Sequence, residues 1–437
     1  MIDRFAIRER NSTVRTEIIG GVTTFVSMAY IIAVNPAILS HAGIPIGPST
    51  VATILTAAFG TLLMGLIANR PIAVAPYMGE NAFIAFGLAA FGITWQQRLG
   101  AVFLSGLAFL IITIAGIRTR LVDAISPSMK HSFAAGIGLF LTFIGLTETG
   151  IVVAGTGVPV QIGNLRTATA LLGIAGFVLT AVLLHRRVRG AILIGMVVTA
   201  AMGIAIGAGN APRAIVALPF RGEYDLSAIA FKLDVLSVLR LSFLPILLTL
   251  FLMSLLDTLG TLVGLGAAAG LLDERGSFPD VQKPMIVDAL SCTFSGLIGT
   301  STSGAYIESA TGIGEGARTG LASIVTAAMF ALSLFLIPLF EPMQTLRFAY
   351  APPLLVVGML MVRSIAHIAF DDLTELLPAF VTIVVMVFTY NIANGLTAGL
   401  VLYPIMKLLA GRGRDLRPAT IILGIICALY YVAGLVH

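Results

Sequence analysis

Apolar runs recur along almost the whole sequence, near 17–39, 49–68, 77–91, 99–117, 132–147, 168–185, 190–208, 242–265, 284–299, 306–314, 318–340, 352–369, 376–391 and 393–409. A crossing helix needs roughly 20 apolar residues, and most of these runs approach that length. They predict an all-α polytopic membrane protein. Charged residues make up only 11% of the chain, against about 25% in soluble domains. Two runs, 77–91 and 306–314, are too short to cross and read as half-helices, each after an extended lead. A further apolar run, 419–436, either spans or lies along the interface. The reading gives one membrane domain: a first repeat over 1–208, a connecting segment 209–241, a second repeat over 242–410 and a C-terminal segment 411–437. No cleavable signal peptide is expected, because the first apolar run is too long for one.

The stretch 300–316, TSTSGAYIESATGIGEG, interrupts these runs with hydroxyl residues and two acids, Glu308 and Glu315. Irregular polar backbone at membrane depth survives only inside protein or along a wet cavity. Gly-interrupted short segments in a many-span chain point to a transport site. Residues 71–87, PIAVAPYMGENAFIAFG, repeat the plan: an extended lead (75–77 against 304–306), then an acid at Glu80, then a short helix. These two copies fall in the third and tenth spans of two sevenfold halves, so the halves must be inverted. Facing half-helices would direct N-terminal NH groups at one point.

Asp257 lies midway in LLTLFLMSLLDTLGTLVGLGAAAG, with Thr261 and Gly264 on the same helical face. A mid-span acid costs roughly 2.5–3.5 kcal/mol on insertion scales and marks a functional path by default. The blander reading is an Asp satisfied by local hydroxyls. Gly260 and Gly264 are expected to allow close helix packing. With Glu308, and Glu80 as an additional member, Asp257 shares an apolar domain without mid-span Lys or Arg, so at least one acid should hold and exchange a proton. In the first span, Asn35-Pro36 reads as a helix end or kink. Thr23, Thr24 and Ser27 share a face that either packs on another helix or lines a cavity.

The basic residues orient the chain. With a cytoplasmic N-terminus, 19 of 26 Lys and Arg fall on inside segments, among them Arg4, Arg118, Arg120 and Arg275. Positive-inside retention predicts this bias. The pI near 9.4 therefore reflects topology and gives no reason to expect a nucleic-acid partner. Arg118, Arg120, Asp123 and Lys130 read as a solvated loop, Arg98 as an outside residue, and 147–168 as an external connection with strand character. Cys292 and Cys427 sit in apolar runs and read as core. His131 and His367 read as interfacial, His41 and His185 as loop residues without partners. No metal site or cofactor is expected. The motifs of a metalloprotease, a phosphate-binding loop or a serine hydrolase are missing, so the chain does not read as an enzyme.

The runs TEIIGGVTTFVSMAYIIAVNPAIL, APYMGENAFIAF, LLDTLGTLVG, GTSTSGAYIESATGIGEGARTG, PPLLVVGMLM and PAFVTIVVMVFTYNIANG resemble the AzgA-like adenine/guanine/hypoxanthine permeases. These form a branch of the nucleobase–cation symporter-2 (xanthine/uracil permease) superfamily. The resemblance implies 14 spans in two inverted sevens, with short antiparallel strands ahead of the half-helices of spans 3 and 10. It implies a core domain (spans 1–4 and 8–11) shifting against a gate domain (5–7 and 12–14) in an elevator-like manner. Substrate contacts would fall on Asn81, Asp257 and Glu308, the acids bonding purine NH and amino groups. Backbone NH groups near Tyr77 and Tyr306 would meet ring acceptors, and Phe83 or Phe25 would stack on the base. The chain departs from the branch at APYMGEN, usually closer to APGMGLN, and has Leu256 where an aromatic commonly precedes the acid.

The expectation is a secondary transporter taking up purine nucleobases with protons as coupling ion, resident in the inner or plasma membrane, with a homodimer as the oligomer to test. Asp257, Glu308 and Glu80 are the proton-coupling candidates. The rivals are a same-fold carrier of uracil, xanthine, urate or an anion, and a passive channel.

Overall fold

The computed structural model describes residues 5–116, 124–270 and 280–432. Arg4, Arg118, Arg120, Asp123, Arg275 and His437 lie outside the described residues. The order is α1 (Val14–Met28), α2 (Ile31–Ser40), α3 (Ile46–Leu63), β1 (Val74–Pro76), α4 (Met78–Ala82), α5 (Trp95–Ile114), α6 (Pro127–Glu148), β2 (Val152–Ala154), β3 (Val160–Ile162), α7 (Ala168–His185), α8 (Ala191–Ala205), α9 (Val235–Val238) and α10 (Leu244–Ala268). There follow α11 (Gln282–Ile298), β4 (Ser303–Ala305), α12 (Ser309–Gly314), α13 (Gly320–Ser333), α14 (Ile337–Thr345), α15 (Arg347–Val362), α16 (Leu373–Phe388), α17 (Ile392–Leu409) and α18 (Pro418–Val432). Among the described residues nine helical segments are long and apolar enough to cross a membrane, with shorter apolar helices at α8, α16 and Pro418–Ala428. β2 and β3 pair antiparallel within 147–168, where strand character was expected.

The strand leads pair with each other. β1 runs antiparallel to β4, with Ala75 opposite Gly304. The Tyr77 amide donates to Thr302 O and the Tyr306 amide to Ala73 O, both at 2.9 Å. Each lead thus satisfies backbone groups of the other, which an isolated extended lead at membrane depth could not do for itself. After β1 comes α4, continued by a π-helical turn at Phe83–Gly87. After β4 comes α12, six residues long and thus just under two turns.

Each half-helix ends on an arginine. The Arg98 side chain, buried rather than loop-exposed, donates to the carbonyls of Ile84 at 2.5 Å and Ala85 at 3.0 Å. Arg318 does the same for Ile313 at 2.8 Å and Ala317 at 2.7 Å. A guanidinium suits these places, because helix C-termini expose carbonyls and carry a negative dipole end.

The first span is not broken where its proline suggested. Pro36 lies inside α2, and the interruption falls earlier, at Ala29 and Tyr30. A proline at 36 leaves the carbonyl of Ile32 without its helical donor. Gln344 supplies it, its Nε2 donating to Ile32 O at 3.0 Å and to Thr50 Oγ1 at 2.9 Å. The hydroxyl face of α1 packs on α12: Thr311 Oγ1 lies 3.0 Å from Ser27 Oγ, and a Cβ on Gly312 would fall 2.2 Å from Thr24 Oγ1.

Helices α5 and α11 approach backbone to backbone at Gly106 and Gly296, where a Cβ would come within 2.6 Å of Thr293 N and 2.7 Å of Phe103 N. Both added groups would meet main chain, which cannot swing aside. The glycines of α10 differ from the packing role expected of them. A Cβ on Gly260 would meet nothing within 4 Å, and one on Gly264 only Ile307 Cδ1 at 3.8 Å. The reason is that, among the described residues, this stripe faces open space, with Ile307 ahead of α12 as its neighbour at Gly264. Gly296→Ala should therefore cost about 1–3 kcal/mol through overpacking, lowering the melting midpoint of the detergent-solubilised protein. Gly260→Ala should leave that midpoint unchanged or raise it.

Candidate functional site

The residues singled out in the sequence gather around the strand crossing. Tyr77 and Tyr306, which follow β1 and β4, lie with nearly parallel rings (10°) and centroids 6.3 Å apart. The Tyr306 hydroxyl donates to Pro76 O at 2.5 Å, fastening one lead to the other. The Tyr77 hydroxyl lies 3.1 Å from Thr258 Oγ1, and Thr258 in turn donates to Asp288. Tyr77 must then be the donor to Thr258, giving a chain from Tyr77 through Thr258 to a carboxylate. Gly304 makes room for the ring, since a Cβ there would fall 2.2 Å from the Tyr77 hydroxyl.

Glu80 stands in the first turn of α4 and is fully buried. Its carboxyl comes within hydrogen-bonding reach of Asp257 on α10. Neither Glu80 oxygen has a hydrogen-bond donor among the described residues. Glu308 precedes α12 as its N-cap residue and accepts from the Tyr30 hydroxyl at 2.7 Å. The phenol of Tyr306 lies within electrostatic reach of Glu308, Glu80 and Asp257 together. Asp257 and Glu308 are both half-buried, less enclosed than Glu80.

Asn81 is fully buried and committed to the protein: its Nδ2 donates to Asn35 Oδ1 at 2.9 Å, while its Oδ1 has no partner among the described residues. Asn35 also donates to Thr53 at 2.7 Å and Thr300 at 2.8 Å, and accepts from Ser301 at 3.1 Å. It is the hub joining α2, α3, α4 and the approach to β4. Phe83 is fully buried, its ring folded over Gly87. Phe25 packs edge-on against Phe330 with centroids 5.1 Å apart. The amides of Tyr77 and Tyr306 themselves are engaged in the strand pair.

Residues 15–397 match the Permease family, the xanthine/uracil permeases. The chain belongs to this family. The permease is 39% identical over 434 residues to Adenine permease AdeP of Escherichia coli (strain K12), covering 99% of this chain and 96% of that one. It is 36% identical over 425 residues to Guanine/hypoxanthine permease PbuO of Bacillus subtilis (strain 168), covering 97% and 98%. Among solved structures, the transmembrane domain of the cyanobacterium bicarbonate transporter BicA matches with a TM-score of 0.66 at 17% identity, covering 88% of this chain and 97% of that one. At that identity the likeness bears on fold alone. The permease is thus an integral membrane protein with a transporter membrane-domain fold, and not an enzyme.

Three residues of this candidate site gave no signal in the sequence that was read as such. Asp288 was lost inside an apolar run, although a mid-span acid there carries the same signal as Asp257. Tyr30 gave no signal, since a tyrosine within a span is ordinary. Asn35 was absorbed by its neighbour proline. His41, expected to be partnerless, lies 3.5 Å from both Glu148 Oε2 and the Tyr350 hydroxyl. Replacing Asn35 by Ala removes four hydrogen bonds at once. Each buried polar group left unsatisfied costs about 1–3 kcal/mol, so Asn35→Ala should sharply lower the thermal midpoint. An unchanged midpoint would show that the hub carries no weight.

Proposed function

We propose that this permease takes up purine nucleobases of the adenine/guanine/hypoxanthine class, driven by protons. The observation that carries the reading is the crossed strand pair, from which two half-helices start beside acids, in a chain related over its length to adenine and guanine/hypoxanthine permeases. Glu308, braced by Tyr30, accepts from base N–H groups. Asp257 faces the same region from α10, and Asn81 steadies α4. Phe83, Tyr77 and Tyr306 shape the surroundings of the base. The proton resides among Asp257, Glu308 and Glu80, and no cofactor takes part.

In this reading the chain forms 14 spans in two inverted sevens, 1–208 and 242–410, joined by 209–241 and followed by 411–437. Three symmetric features support it: the reciprocal Tyr77 and Tyr306 amide bonds, the paired half-helices and their terminal arginines. Spans 1–4 and 8–11 carry the base against spans 5–7 and 12–14 by an elevator-like shift. The bias of basic residues supports a cytoplasmic N-terminus in the inner or plasma membrane, and a homodimer is the oligomer to test. Converging acids without a mid-span arginine disfavour a free anion as substrate.

The test is uptake of labelled adenine, guanine, hypoxanthine, xanthine and uracil in cells lacking their own permeases, with and without a protonophore. Saturable uptake of a purine, abolished by the protonophore, is the expected result. Non-saturable flux would indicate a channel instead. Glu308→Gln should weaken transport roughly ten- to a hundredfold, the scale of losing a hydrogen bond to a charged group.

A further inference from the structure

We propose that Glu80 and Asp257 hold one proton between them, and that this shared proton, rather than one on Glu308, travels with the substrate. The inference rests on the proton-coupled reading above and assigns its proton to a place.

The geometry separates the acids into two kinds. Glu308 has a hydrogen-bond donor outside the acid group, Tyr30 at 2.7 Å, so it is satisfied without sharing a proton with another carboxyl. Glu80 has Asp257. Two carboxylates facing each other are both acceptors, so their contact becomes a hydrogen bond only when one of them carries a proton. Cations could otherwise balance the pair, but 31–40, 71–91, 244–268, 284–298 and 300–314 contain no Lys, Arg or His, and Lys130 and His131 of α6 lie roughly two turns before Ile137, the residue of that helix that meets Gly79. The other titratable groups bearing on it are Asp288, Tyr77 and Tyr306. Asp288 is an additional acid and the phenols are neutral at physiological pH, so none replaces the missing positive charge. Like-charge carboxylates that share a site hold on to one proton for this reason.

The pair also has a way in and out. Glu80 is sealed, whereas Asp257 is half-buried and heads the stripe of Gly260, Thr261 and Gly264. Open space lies in front of Gly260. Water reaching Asp257 along this stripe delivers a proton on one side of the membrane and removes it on the other. No covalent bond is made and no redox partner is needed. Glu80 keeps the proton in place while the site is closed.

Two measurements on the purified full chain decide this. In lipid nanodiscs at neutral pH, the infrared spectrum should show a protonated-carboxyl band that disappears in both Glu80→Gln and Asp257→Asn and survives in Glu308→Gln. A band absent from the unaltered protein, or unaffected by Glu80→Gln, overturns the proposal, whatever drives transport. In proteoliposomes, a gradient of about one pH unit sustains roughly tenfold accumulation for one coupled proton. Glu80→Gln should bring accumulation near onefold while base exchange falls far less, and Glu80→Asp should restore accumulation. Tenfold accumulation in Glu80→Gln overturns the proposal, as does failure of Glu80→Asp to restore it. If the unaltered protein accumulates base without regard to the pH gradient, the coupling reading fails, and the infrared band still judges the shared proton separately.

Discussion

Backbone hydrogen bonding between two short strands, 74–76 and 303–305, is the constraint on which the rest of the structure depends. A chain that leaves the helix within an apolar interior must find partners for every amide and carbonyl it frees. Here each lead finds them in the other. Two stretches more than 200 residues apart in sequence therefore arrive at one place, antiparallel and in fixed register. The half-helices, their acids and the tyrosines that brace them inherit their positions from that pairing. The surrounding long helices enclose it, and Asn35, Gln344, Arg98 and Arg318 satisfy the polar groups that the breaks expose.

Much of this was legible in the sequence because the membrane imposes length. Helix α7 fills 168–185, as the apolar run predicts, and the short runs 77–91 and 306–314 become half-helices because they are too short for anything else. The likeness of the two leads, faint as letters, carried real information: APY and GAY are the residues that pair and then turn into helix. What hid was side-chain traffic between distant segments. No local pattern announces that Gln344 will supply the donor that Pro36 removes, so the kink was expected in the wrong place. Likewise the glycines of α10 look like a packing motif, and only the position of α12 shows that they face space.

The acids illustrate the same limit. Sequence put Glu80, Asp257 and Glu308 in one region, and in the structure all three bear on Tyr306. It did not tell which acid faces which. Pairing Glu80 with Asp257 and Glu308 with Tyr30 divides three similar groups into an acid opposite an acid and an acid opposite a hydroxyl. The division follows from which helix face meets which, a property of the assembled fold.

The interlock of Tyr77 with Gly304 has a mechanical consequence. The ring lies across the opposite strand at a point where not even a methyl group fits, while the Tyr306 hydroxyl grips Pro76 O beside it. Neither lead can slide along its partner without driving a ring into main chain. The crossing behaves as a rivet: a displacement of one half-helix carries the other with it at constant spacing.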